Sequence, residues 1–254
     1  MIEVRDIHKS FKGEEILKGI STTFEKGKTN LIIGQSGSGK TVFLKCLLGL
    51  FTPEKGEILY EGREYSSFSE EERRDLREHM GMVFQGGALF DSMTVAENVD
   101  FPLKMFTRQR KNERMDRVME VLKRVNLENA ENKYPSEISG GMQKRVSIAR
   151  AIVNSPKYLF CDEPNSGLDP KTATVIDNLI QEITREYNIT TVINTHDMNS
   201  VLEIGETIVF LKEGKLEWKG NKDEIFKTDN RAVTDFVYSS DLFKKVREAQ
   251  VQGI

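Results

Sequence analysis

The run Gly34-Gln35-Ser36-Gly37-Ser38-Gly39-Lys40-Thr41 places glycines, a lysine and a hydroxyl at the spacing that cradles phosphate. Glycine lets backbone N–H groups converge on phosphate oxygens, the following helix adds the positive end of its dipole, and Lys40 and Thr41 supply an ammonium and a ligand for Mg²⁺. A second cluster is acidic. Asp162 and Glu163 end the apolar run Leu159-Phe160-Cys161, so two carboxylates reach the C-terminal edge of a sheet, where α/β proteins build their ligand sites. There Asp162 suits the metal and Glu163 suits a general base that polarises water. His196 follows the apolar run Val192-Ile193 and emerges on the same edge, within reach of a terminal phosphate. Gln85 leaves the short run Gly81-Met82-Val83-Phe84 and can touch both metal and water. Ser139, Gly140 and Gly141 precede a helical stretch and form a second helix-N-terminal anion site.

The elements that hold these residues follow from hydrophobic period. Asn30 to Ile33 carries a continuous apolar run that predicts a buried strand, and Lys157 to Cys161 and Thr190 to Asn194 repeat the pattern. Helices are predicted over Lys40 to Leu50 and Thr172 to Tyr187, so strands and helices alternate and the sheet is largely parallel. Ile2 to Ile7 alternates apolar and polar, and Ile58 to Tyr60 lies between Gly56 and Gly62, which predicts an antiparallel region around the first helix. Between the two portions of the core, Asn112 to Val125 and Met142 to Val153 carry helical spacing. The fold class is therefore α/β with a mostly parallel sheet, an N-terminal antiparallel β region and an inserted α-helical subdomain. Residues 1–90 and 155–225 make the nucleotide-binding core, 91–154 the helical subdomain, and 226–254 a C-terminal extension with weak helical patterning from Leu242 to Ala249.

Composition narrows the function classes. The chain has 254 residues with a net charge of -3, which gives no electrostatic reason to expect nucleic acid as a partner. Its apolar runs fall far short of the roughly 20 residues that cross a bilayer. The acidic N-terminus carries no visible secretory signal, which points to the cytosol. Cys46 and Cys161 both sit among apolar neighbours and read as reduced core thiols.

Taken together, the phosphate run, Gln85, Ile138 to Met142, Asp162-Glu163, Ser166-Gly167-Leu168-Asp169 and His196 resemble, in order, the ATP-binding subunit of ABC transporters. The resemblance covers Ile2 to Gly220. It implies a RecA-like P-loop NTPase core that binds ATP and Mg²⁺ and hydrolyses ATP. It also implies a head-to-tail homodimer, in which ATP held by Lys40 and Thr41 is covered by Ser139 to Gly141 of the other protomer, with Asp169 at the seam. Phe11 lies where the family stacks adenine, and Thr41, Gln85 and Asp162 correspond to its Mg²⁺ ligands. Ile138 and Met142 depart from the usual Leu-Ser-Gly-Gly-Gln signature, which leaves the side-chain interaction at Met142 in question. Phe84 to Val99 and Gly140 to Arg145 further resemble the ATPases of Mla-type and Mce-associated phospholipid transporters. That likeness implies a separate membrane permease, a Mce-type lipid-binding protein reached through it, and a peripheral place on the cytoplasmic face of the inner membrane. Another ABC importer, or a soluble ABC ATPase of cofactor assembly, is the competing reading.

Overall fold

Glycines and short polar turns cut the chain into ten strands and eight α-helices among the described residues, which in this computed structural model are 1–238. The hairpin β1 (Ile2–Phe11) and β2 (Glu14–Phe24) leads into β3 (Thr29–Ile33), the phosphate run and α1 (Lys40–Leu47). Then come β4 (Lys55–Tyr60), β5 (Arg63–Glu64), α2 (Glu70–Glu78) and β6 (Met80–Val83). Three helices follow: α3 (Val95–Phe106), α4 (Lys111–Arg124) and α5 (Gly140–Ile152). The chain re-enters the core through β7 (Tyr158–Asp162), α6 (Pro170–Glu186), β8 (Thr190–Asn194), α7 (Met198–Ile204), β9 (Thr207–Lys212), β10 (Lys215–Gly220) and α8 (Arg231–Val237). The expected helix at Leu242 to Ala249 lies outside the described residues.

Two sheets form. The antiparallel sheet runs β2-β1-β4-β5, and the mixed sheet runs β10-β9-β3-β8-β7-β6, parallel from β9 to β6. The α/β class, the parallel core, the antiparallel N-terminal region and the helical insertion are all present as the sequence predicts. The continuous apolar strands are explained by two cores. In β7, Tyr158 and Phe160 face one core with α1 and the antiparallel sheet, while Leu159 and Cys161 face the other with the helices. Side-chain alternation sends one run into both layers, so no polar face is needed.

Helix boundaries shift where caps decide them. The first helix stops at Leu47, three residues before Leu50, because Gly49 turns left-handed at φ 69°. A Cβ there would come within 2.2 Å of the Tyr65 hydroxyl. At the other end of the insertion, α5 begins at Gly140, two residues before Met142, because the Ser139 hydroxyl accepts the Met142 N–H at 3.3 Å.

Candidate functional site

The parallel register brings the site residues to one level. Asp162 pairs with Asn194 across β7 and β8, and Asn194 pairs with Ile32 across β8 and β3, one residue before the strand gives way to the phosphate run. Within that run the N–H groups of Gly37, Gly39, Lys40 and Thr41 meet no acceptor among the described residues. Gln35, Ser36 and Gly37 are exposed, whereas the Ser38 hydroxyl is buried without a partner. Lys40 is only 8% exposed, and its Nζ donates to the carbonyls of Gly34 (2.8 Å) and Gln35 (3.0 Å). Burial pushes its pKa down, and the charges of Glu163 and Asp162 oppose that shift. Gly34 cannot be larger, since a Cβ would lie 2.2 Å from the Leu211 carbonyl. A ring of free donors around a buried ammonium is a cradle that accepts a polyphosphate.

Beside it, Glu163 joins two of the residues read from the sequence. Its Oε1 lies 2.8 Å from His196 Nδ1, and its Oε2 accepts from Gln85 Nε2 at 3.3 Å. Asp162 Oδ1 accepts from Asn194 Nδ2 at 3.1 Å. Glu163 is held at φ 47°, a left-handed conformation that costs a non-glycine residue about 1–3 kcal/mol. Strain of this kind turns the side chain toward the sheet edge. Among the described residues no group of three or more His, Cys, Asp or Glu could cage a metal. Thr41, Asp162 and Gln85 instead offer the sparse oxygen set that suits Mg²⁺ bound largely through phosphate and water.

The family profile for the ABC transporter ATP-binding region matches residues 17–166. The chain belongs to the ABC transporter family. It is 38% identical over 236 residues to a probable ribonucleotide transport ATP-binding protein mkl of Mycobacterium leprae, covering 93% of this chain and 68% of that protein. It is 39% identical over 244 residues to methionine import ATP-binding protein MetN 2 of Bacillus cereus, covering 94% and 72%. Against other mycobacterial mkl proteins the chain spans 66% of their length. Two solved structures agree. A dimeric, post-hydrolysis ATP-binding cassette bound to ADP and Pi superposes with TM-score 0.79 at 34% identity, covering 87% of this chain and 99% of that one. The cbiO1 protein of Clostridium perfringens, part of the transporter complex cbiONQ, gives TM-score 0.84 at 30% identity, covering 100% and 98%. The chain is thus an ATP-binding, ATP-hydrolysing member of the family.

In this ABC ATPase the remaining predicted residues fall elsewhere. Ser139 and Gly140 are exposed at the start of α5, beside Leu168, and no hydrogen bond joins 138–142 to 34–41 among the described residues. Asp169 caps α6 by accepting the Thr172 N–H at 3.0 Å, which lowers its pKa. Phe11 is 39% exposed and meets Phe51 edge-on at 5.1 Å. Three residues went unread as site residues. Lys144 donates to the Gln85 carbonyl, and Arg150 donates to the carbonyls of Gly87 (2.6 Å) and Ala88 (2.7 Å). Asp177 is 3% exposed behind Glu163. The available signal was that cations at 144 and 150 sit on the apolar face of α5, where a solvated side chain has no place.

Proposed function

We propose that this chain powers phospholipid transport as one half of a head-to-tail dimer docked on a separate membrane permease. The observation that carries the catalytic half of the reading is Glu163, whose two carboxylate oxygens face His196 and Gln85 beside the phosphate cradle. Gly34 to Thr41 binds the phosphates of ATP, with Lys40 at the terminal ones, and Phe11 contacts adenine. Thr41, Gln85 and Asp162 hold Mg²⁺, which supplies charge neutralisation when bound. Glu163 takes the proton of the attacking water, and His196 fixes Glu163 and meets the γ-phosphate. Ser139 to Gly141, which do not reach their own phosphate run, cover the ATP of the partner, with Asp169 at the seam.

The permease reading is supported by an apolar groove of about 400 Å³ beside the loop that follows Gln85, lined by Met82, Phe84, Phe90, Phe101 and Met105. Phe84, Phe90 and Met105 are all at least 40% exposed. Among the described residues no helix is long and apolar enough to cross a membrane. The proposed place of the chain is the cytoplasmic face of the inner membrane, docked on the permease. The choice of phospholipid over another cargo rests on the Mla- and Mce-like stretches Phe84 to Val99 and Gly140 to Arg145. The likeness to a methionine importer favours an amino-acid cargo instead.

Two experiments test the reading. Glu163→Gln is expected to keep ATP binding and to lower turnover by about 10²–10⁴-fold, and near-normal turnover removes Glu163 from its role. Mass spectrometry of the native complex is expected to show an integral permease, a Mce-type protein and bound phospholipid. A complex of soluble proteins alone sinks transport, and a permease carrying an amino acid sinks the lipid cargo.

A further inference from the structure

Behind Glu163 lies a buried polar cluster that no motif accounts for. Asn165, two residues after Glu163, is 7% exposed, and its Nδ2 donates to Asp177 Oδ2 on α6 (3.1 Å) and to Ser200 Oγ on α7 (2.8 Å). Ser200, 1% exposed, faces the Asp177 carboxylate and opposes the upward shift of its pKa. Asn165 belongs to a tight turn closed by the Ser166 N–H on the Glu163 carbonyl at 3.2 Å. On the other side, α7 begins two residues after His196. The Asn165 amide, anchored by the Asp177 carboxylate, therefore ties the turn that strains Glu163 to the helix that follows its histidine partner.

We propose that Asp177 is a positioning residue for hydrolysis: through Asn165 and Ser200 it locks the Glu163 turn to α7 and so fixes Glu163 against His196. This rests on the reading of Glu163 as base. The surroundings show that the carboxylate is not there for stability. Asp177 borders a cavity of about 850 Å³ whose lining includes Glu163, Asp197 and Glu203 and, among the described residues, no lysine or arginine. The groups facing it are the Asn165 amide from the turn, the Ser200 hydroxyl and the Glu203 and Asp197 carboxylates from α7 and its cap, and the Cys161 thiol from β7. Desolvation above all, and then Asp197 and Glu203, push its pKa up to about 6. An acid whose folded pKa is raised stabilises the fold below its unfolded pKa, and that contribution is lost as pH rises from near 4 through 6. At neutral pH the fold thus carries a buried negative charge that costs stability. Asparagine has the same shape and removes the charge, but its neutral amide holds Asn165 more weakly than a carboxylate does, so the turn loosens while the fold gains.

The test is Asp177→Asn in the full chain, read by melting temperature and by steady-state ATPase kinetics. The melting temperature at pH 7.5 is expected to rise by about 5 °C, with the gain shrinking as pH is lowered toward 5. Over the same change kcat is expected to fall about tenfold with KM for ATP within about twofold, because the phosphate cradle is untouched. A residue that merely supports the fold would lower both melting temperature and kcat, and that result overturns the proposal. So does a raised melting temperature with unchanged kcat. Should the variant not fold, Ser200→Ala removes the hydroxyl on α7 that accepts from the Asn165 amide. It is then expected to lower kcat about threefold at constant KM, and an unchanged kcat overturns the proposal. If Glu163→Gln retains turnover, the base assignment fails first, while the rise in melting temperature of Asp177→Asn still reports the buried charge.

Discussion

Lys40 is an ammonium held out of water on carbonyl oxygens alone, with Asp162 and Glu163 as its compensating charges. Phosphate oxygens are stronger acceptors than carbonyls, and a charge-assisted hydrogen bond is worth roughly 1.5–3 kcal/mol. Lys40→Met is therefore expected to weaken ATP binding about 10–100-fold, measured by fluorescence titration, and affinity within twofold of wild type would show that the lysine does not reach nucleotide. The two cysteines sit at the opposite extreme. Burial pushes the Cys46 thiol up to about 12 and the Cys161 thiol higher still, so neither ionises at neutral pH. A thiol-specific disulfide reagent should find neither in the folded chain and both after denaturation, and rapid labelling in the folded state would contradict their burial. At this scale the sequence is legible where chemistry is local in the chain. Gly34 to Thr41 is one run, and Glu163 and His196 each directly follow an apolar strand. Asp177 was not legible, because Asn165 stands 12 positions from Asp177 and 35 from Ser200 along the chain, and an aspartate in an amphipathic helix reads as solvated.

The element that joins the most site features is α5. Its N-terminus carries Ser139, its middle sends Lys144 to the carbonyl of Gln85, and its last turn sends Arg150 to the carbonyls of Gly87 and Ala88. Both cations are buried, and desolvation lowers both pKa values, so neither is on the helix for solubility. The loop after Gln85 is thus hung on the helix whose opposite end presents the exposed Ser139. Arg150→Met keeps the apolar packing of the stem and frees the loop. It is expected to lower kcat with little change in ATP affinity and to expose residues 85–93 to limited proteolysis, and wild-type kcat together with wild-type protection would show that the loop holds itself. Elements buried on both faces were legible from the sequence, since no charged residue interrupts β3, β7 or β8 before the strand ends. The helix α3 was not, because Pro102 interrupts its pattern, although the reciprocal cap of Thr94 and Glu97 was available to mark its start. Sheet order was equally hidden. Placing β3 between β8 and β9 is a long-range pairing that no local run encodes.

For the whole molecule, two anion-binding helix ends on one chain have no bond between them, and a head-to-tail dimer gives each a partner. A closed twofold arrangement makes the same patch serve both subunits, so in the proposed dimer each ATP site would take Lys40 from one chain and Ser139 from the other. That geometry makes a sharp demand on mixtures. Lys40→Met and Ser139→Glu should each be inactive alone: the first lacks the ammonium, and the second sets a negative charge against the phosphates at the helix N-terminus. In a mixed dimer of the two, one site combines both defects and the other has neither. Co-expressing the two variants, or mixing them after mild dissociation, should therefore restore hydrolysis, up to about a quarter of wild type for random pairing at equal amounts with independent sites. Were each chain to complete its own site, every site in the mixture would still carry one defect, and mixing would restore nothing.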